Sequence, residues 1–149
     1  MKKISAIVLC FVLIFSFAAC GQNRYGERSS VIMSDELELT LVKAPLPATQ
    51  VIFQLHNPTD IPYYFGWDYK FEGLKDGIWY TTDYAGTRDI PAELLTLEPG
   101  STMERTFYTD GGAEFRPGTY RVVMEFWKET EQGTFEKGIF VCGEFTVTY

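Results

Sequence analysis

From Asp35 onward, apolar and polar residues alternate with a period of two in several short segments. The first two segments carry their apolar residues at Leu37, Leu39 and Leu41 and at Val51, Phe53 and Leu55. Such alternation is typical of strands with one buried face. No segment of this region has a sustained helical period, so the sequence predicts an all-β fold.

The most aromatic segment predicts a strand with one strongly apolar face. Its alternate positions are Tyr63, Phe65, Trp67, Tyr69 and Phe71. We expect these five side chains to point inward and to form core. Asp76-Gly77 follows shortly afterwards, and an Asp-Gly pair between strands favours a tight hairpin.

Pro-Gly turns separate the later strands. Glu98-Pro99-Gly100-Ser101 fits a type II turn, and Arg116-Pro117-Gly118-Thr119 repeats the Pro-Gly pair. Seven or eight short strands result from this division of the chain. The prediction is one domain over residues 35–149, folded as an antiparallel β-sandwich of the immunoglobulin-like kind.

The first nineteen residues have the layout of a secretory signal peptide. Lys2 and Lys3 precede an apolar stretch from Ile4 to Phe17, and Ala18 and Ala19 are small residues at a cleavage position. A membrane-spanning helix needs about 20 apolar residues, and this stretch is shorter. We therefore expect residues 1–19 to direct export and to be removed.

The residues around Cys20 resemble the lipobox of bacterial lipoproteins, although Phe17 stands where Leu is usual. The resemblance implies a diacylglyceryl group on the Cys20 sulfur, fatty acylation such as palmitate, and a membrane-attached protein on the extracytoplasmic side. An ordinary signal peptide with an incidental cysteine is the alternative. The polar residues after it predict a flexible tether over 20–34.

Charge and cysteine content narrow the classes of partner. The formal charge is −7, and loss of residues 1–19 leaves 11 basic against 20 acidic residues, a charge of −9. Such a surface repels phosphate backbones, so no nucleic acid is expected as a partner. With Cys10 in the signal and Cys20 as anchor, Cys142 remains alone, and no intramolecular disulfide is available.

Four segments taken in order resemble the bacterial Ig-like domain family of small secreted lipoproteins. They are GWDYKFEGLKDGIWY, LTLEPGS, FRPGTYRVVMEFW and GEFTV. The resemblance implies a tyrosine corner at Tyr120, a buried Trp67 on the third strand, and Val122 where antibody domains have a cysteine. A looser resemblance to bacterial proteinase-inhibitor domains makes residues 81–91 the candidate for a rigid inhibitory loop.

No motif for catalysis, metal or cofactor binding is present, so we expect no enzyme and no cofactor. His56 is the single histidine, and the abundant carboxylates lack the spacing of a metal loop or glycosidase pair. Aromatic residues are the remaining candidates for a binding surface. Those expected to be exposed are Tyr64, Tyr80, Tyr84 and Trp127.

Two functions therefore stay open. The first is a lipid-anchored protein whose non-catalytic domain binds a protein or glycan of the cell envelope. The second is a proteinase inhibitor built on a β-sandwich.

Overall fold

A computed structural model describes residues 24–44, 47–87 and 89–148. These residues form ten strands and one 3₁₀ turn at Asp110–Gly112. The strands are β1 Tyr25–Arg28, β2 Glu38–Lys43, β3 Gln50–His56, β4 Tyr63–Phe65, β5 Lys70–Lys75, β6 Ile78–Thr82, β7 Leu95–Leu97, β8 Thr102–Tyr108, β9 Gly118–Trp127 and β10 Ile139–Val147. Within these ranges, no helix has the length and hydropathy needed to span a membrane.

The larger of two antiparallel sheets is organised around the long strand β9. On one side, β10 pairs with β9 from Val147 opposite Gly118 to Ile139 opposite Phe126. On the other side, β5 pairs with the first half of β9, and β4 pairs with the last residues of β9. Two strands therefore share this edge of β9. β6 and then β1 extend the sheet beyond β5, and β7 extends it beyond β4.

The smaller sheet has the order β2-β3-β8 and packs face to face against the larger one. The predicted alternation holds in β3, where Val51, Phe53 and Leu55 are buried. The inward side of β9 supplies Tyr120, Val122, Met124 and Phe126 to the same core. The all-β immunoglobulin-like sandwich is therefore confirmed, with more strands than the sequence predicts.

Two of the predicted turns form with the backbone that their sequences require, whereas Gly118 of the second Pro-Gly pair has an extended φ of 159° and begins β9. Ser101 N donates to Glu98 O at 3.0 Å, and Gly100 has a φ of 66°, as the third residue of a type II turn needs. Asp76 and Gly77 both have positive φ in the β5–β6 hairpin, which is the tight turn favoured by an Asp-Gly pair.

The aromatic segment departs from the prediction at its centre. β4 ends at Phe65 and β5 begins at Lys70, because each takes a different part of the β9 edge. Tyr63, Phe65, Tyr69 and Phe71 are buried as expected, but Trp67 lies in the break and is 41% exposed. The expectation of a buried Trp67 is wrong, since alternation cannot reveal where one strand becomes two.

The segment expected to be a flexible tether is partly built into the fold. β1 pairs with β6, so the sheet begins ahead of Asp35. Residues 29–34, called the strap from here on, then cross the outer face of the larger sheet. Ser29 N donates to Trp79 O on β6, and Ser34 N donates to Phe140 O on β10. The predicted signal peptide over 1–19 and the lipid site Cys20 lie outside the described residues.

Candidate functional site

A groove of about 910 Å³ lies on the outer face of the larger sheet. The strap and Asp35 form one wall, and the break between β4 and β5 forms the other. Outward residues of β9 and the start of β10 form the floor. The strap therefore creates the groove. Without the strap, this face of the larger sheet would be a flat, exposed surface.

The groove combines apolar and charged groups. Val123, Trp127 and Phe140 provide apolar surface, and the lining charges are Asp35, Asp68, Lys70, Glu125 and Lys137. An apolar surface beside a few convergent polar groups is the usual composition of a ligand site. Aromatic rings next to carboxylates can stack on a sugar ring and accept its hydroxyl protons, and they can equally hold a peptide segment.

The structure separates the four aromatic residues that were expected to be exposed. Trp127 is half-buried and lines the groove. Tyr64 is its cross-strand neighbour, is also half-buried, and packs edge-on against the exposed Phe135 at 5.3 Å. These rings extend the apolar surface of the groove along the outer face of the sheet.

The other two predicted aromatics do not join this surface. Tyr80 lies on β6 and packs against Tyr25 with ring centroids 6.1 Å apart. Tyr84 is 2% exposed, so the expectation that it is accessible is wrong. Its ring lies against Phe115, and its hydroxyl accepts a hydrogen bond from Arg116 N at 3.1 Å. Residues of irregular segments have no period that could have placed Tyr84 inside.

A small polar cluster fixes the chain where the strap ends. The Glu36 carboxylate pairs with the Lys128 ammonium and accepts a hydrogen bond from the Tyr63 hydroxyl at 2.6 Å. The hydrogen bond from Lys128 and that from Tyr63 lower the pKa of Glu36. The same contact with Glu36 raises the pKa of Lys128, while burial raises that of Tyr63. The cluster ties the strap to the end of β9.

A buried ion pair lies at the other end of the strap. Arg121 Nη2 and Glu72 Oε2 are 2.6 Å apart, in register on β9 and β5, and Glu72 is 1% exposed. The Arg121 guanidinium stacks over the Trp79 ring at 4.4 Å and reaches Ser29 Oγ of the strap at 3.4 Å. The strand periodicity predicts that Glu72 and Arg121 point outward, toward solvent. It does not predict that the strap covers them, because residues 29–34 have no pattern that indicates their position.

Arg105 is a second buried cation, placed between the sheets under the break. Its Nη1 donates to Gly66 O at 3.0 Å. Rings of four aromatic residues surround the guanidinium at 5.2–5.9 Å, namely Phe65, Trp67, Tyr69 and Phe107. Cation–π contacts of this kind stabilise a desolvated guanidinium. The Trp67 ring thus covers the Arg105 guanidinium and is not part of the hydrophobic core.

The residues considered for catalysis do not come together. His56 Nδ1 lies 3.1 Å from Ser101 O and 3.0 Å from Thr102 Oγ1 at the end of β3. Cys142 is half-buried on β10, opposite Val123, and burial raises the pKa of its thiol. In the ranges that the structure describes, no group of three or more His, Cys, Asp or Glu could hold a metal ion.

The segment considered as an inhibitory loop is packed over its first part. β6 continues to Thr82, Tyr84 and Ala85 are buried, and Gly86 lies against the Asp110 side chain. Ile90 is 41% exposed further along. Residues 81–86 therefore do not stand out from the surface as a protease-binding loop would.

The two antiparallel sheets and the core between them define an immunoglobulin-like sandwich domain. The family described as bacterial Ig-like domain matches residues 33–138, and the chain belongs to that family. The strap up to Ile32 and all of β1 precede the matched region. No curated protein sequence matches the chain.

A crystal structure of a protein from Archaeoglobus fulgidus is among the solved structures that are similar to this chain. The two chains share 14% identity, and the similarity covers 76% of this chain and 96% of that one with a TM-score of 0.31.

Proposed function

We propose that this protein is a membrane-anchored extracytoplasmic lipoprotein whose non-catalytic Ig-like domain binds a protein or glycan of the cell envelope. The observation that carries the binding role is the groove, where Trp127 and Phe140 lie among five charged side chains. Membership of the Ig-like family supports a non-catalytic domain.

The proposed anchor rests on the first twenty residues. Lys2 and Lys3, the apolar stretch and Ala18-Ala19-Cys20 match the order of a lipoprotein signal. Each buried methylene contributes about 0.8 kcal/mol to membrane binding, and stable attachment takes two acyl chains. A diacylglyceryl group on Cys20 meets that requirement, whereas a mature charge of −9 gives no electrostatic attraction to anionic lipids.

The anchor is tested by cell fractionation with two matched cysteine variants. We expect Cys20→Ala to release the protein from membranes or to leave it with its signal uncleaved, and Cys142→Ala to behave as the unaltered chain. Mass analysis of the processed N-terminus should show an acyl group. A Cys20→Ala protein that is cleaved and still sediments with membranes would contradict the anchor.

The binding role is tested by a photo-crosslinking amino acid placed in the groove of the full chain in cells. Lys137 is the groove position, and Glu104 is the control, an exposed residue of the smaller sheet. We expect a crosslinked protein or glycan at position 137 that is lost with Trp127→Ala but kept with Tyr108→Ala. Tyr108 is a matched control because it is exposed and lies on β8. The same products at both positions would contradict a groove ligand.

A further inference from the structure

The N-terminal residues that link the anchor to the domain are held by specific contacts. The Arg24 guanidinium stacks on the Tyr84 ring at 4.8 Å. The Tyr25 ring lies over Gly73, where a Cβ would come within 2.5 Å of the ring. Thr81 Oγ1 donates to Glu27 O at 3.3 Å, and β1 pairs with β6. Residue 24 is thus fixed to the fold.

The distance from Cys20 to this fixed residue is short. Four residue steps separate Cys20 from Arg24, and an extended chain advances at most about 3.6 Å per residue. The sulfur-bearing residue therefore lies within about 14 Å of Arg24 whatever path the intervening residues take. A tether that ran to residue 34 would have allowed more than three times that reach.

The edge of the sheet that carries β1 also differs in charge from the rest of the mature chain. It comprises residues 24–28, the β5–β6 turn and Asp83. Its charged residues are Arg24, Arg28 and Lys75 against Glu27, Asp76 and Asp83. This edge is neutral, so the net charge of −9 lies on the rest of the mature chain. The β1 edge therefore carries no net charge that anionic lipids would repel.

We propose that the β1 edge of the larger sheet faces the lipid surface, with the anchor joined to the sheet almost directly. This inference rests on the proposed lipid anchor. The occupant of this surface is the bilayer itself, brought close by the short link and tolerated by a neutral edge. A ligand of the groove must then lie close to the membrane, because the domain cannot extend away from it on a long tether.

The orientation is measured with the full chain, purified from membranes and reconstituted in phosphatidylcholine vesicles that carry a nitroxide on the lipid headgroup. A fluorophore is attached through Asp83→Cys or Gln132→Cys, each combined with Cys142→Ser. Asp83 directly follows Thr82, the partner of Tyr25, while Gln132 lies beyond the far end of β9. Both residues are exposed.

We expect the label at position 83 to be quenched at least about twofold more than the label at position 132, because an edge that faces the bilayer places the loop after β9 at least two strand spacings, about 10 Å, further from the lipid than β6. Insertion of a Gly/Ser linker of about 20 residues between Asn23 and Arg24 should remove that difference, because such a linker has a mean span of about 25 Å. Equal quenching without the linker, or an unchanged difference with it, would overturn the orientation.

A failure of the proposed lipid anchor can be distinguished from a failure of the proposed orientation. If the processed chain carries no acyl mass and does not join vesicles, the proposed function fails at Cys20. The orientation is then read on a chain beginning at Cys20, coupled by its thiol to a maleimide lipid, with the fluorophore on an alkyne-bearing amino acid at position 83 or 132. The same two results support or overturn the inference there.

Discussion

The Tyr120 hydroxyl donates a hydrogen bond to the carbonyl oxygen of Arg116 at 2.9 Å. Tyr120 is 3% exposed, and its ring stacks on Phe145 with centroids 5.7 Å apart. The bond joins the start of β9 to the segment just before it. This is the tyrosine corner that the Ig-like resemblance predicts, and here it holds in the absence of the cysteine that antibody domains place two residues later.

Tyr120→Phe should lower the free energy of unfolding by about 0.5–1.5 kcal/mol, the net contribution of one hydrogen bond. The ring contacts with Phe145 are kept in this variant, so the loss reports on the hydroxyl. Urea unfolding followed by tryptophan fluorescence measures it. A variant as stable as the parent would show that the corner bond contributes nothing.

Gly143→Ala should destabilise the sandwich by about 1–3 kcal/mol, because it overpacks a filled core. A Cβ at Gly143 would lie 2.2 Å from the Phe53 ring, and both residues are fully inside. Gly66→Ala is the control, since the nearest atoms to its Cβ are 3.9 Å away. Thermal unfolding of both variants should show a lowered midpoint for Gly143→Ala only, and equal midpoints would count against this packing.

Glu72→Gln should cost about 3–5 kcal/mol, because it leaves the Arg121 cation buried without its counter-charge. The double variant Glu72→Leu, Arg121→Leu should recover most of that loss, since removal of both charges removes the desolvation penalty as well. Chemical unfolding of the single and double variants measures the difference. If the double variant is less stable than Glu72→Gln, then replacing both charges with leucine destabilises the fold more than removing one charge does, and this prediction is wrong.

Glu36 should make the end of the strap sensitive to acid. Its pKa is lowered in the folded protein by Lys128 and Tyr63, so its contribution to stability is present above the ordinary carboxyl pKa and disappears as pH falls through the depressed value. Glu36→Gln should therefore flatten the loss of stability below about pH 4.3, the ordinary glutamate value. Glu38→Gln removes the same charge nearby and should leave that loss unchanged. Unfolding curves from pH 7 to pH 2.5 compare the variants.

The sequence predicts the sandwich well because the strand period is a local property. Val51, Phe53 and Leu55 are buried as the alternation requires, and Pro99-Gly100 and Asp76-Gly77 form their turns. The period cannot show which strand edges meet. Trp67 is exposed for that reason: the alternation runs unbroken through a place where two strands share β9.

The candidate site is less accessible to sequence reasoning. Trp127 is found by its outward position on β9, but the groove that it lines depends on the strap. Residues 29–34 have three apolar residues in a row, Val31, Ile32 and Met33, between serines, and show neither strand nor helix periodicity. Their position is set by contacts with Trp79 and Phe140, which lie far along the chain. Tyr84 illustrates the same limit, since its burial depends on Phe115.

The pairing of β9 with β10 has a consequence for how the chain acquires its fold. Its nine residue pairs close across residues 128–138 alone, whereas β3 reaches β8 only after a loop from His56 to Thr102 has closed. Closing a longer loop loses more chain entropy, and among the hairpins β2–β3, β5–β6 and β9–β10 the last of these joins the most residue pairs, so it is well placed to nucleate the fold. Its two strands also follow the other eight described strands along the chain. We therefore expect the chain to stay unfolded until β10 has been synthesised, the state that the proposed export through a channel requires.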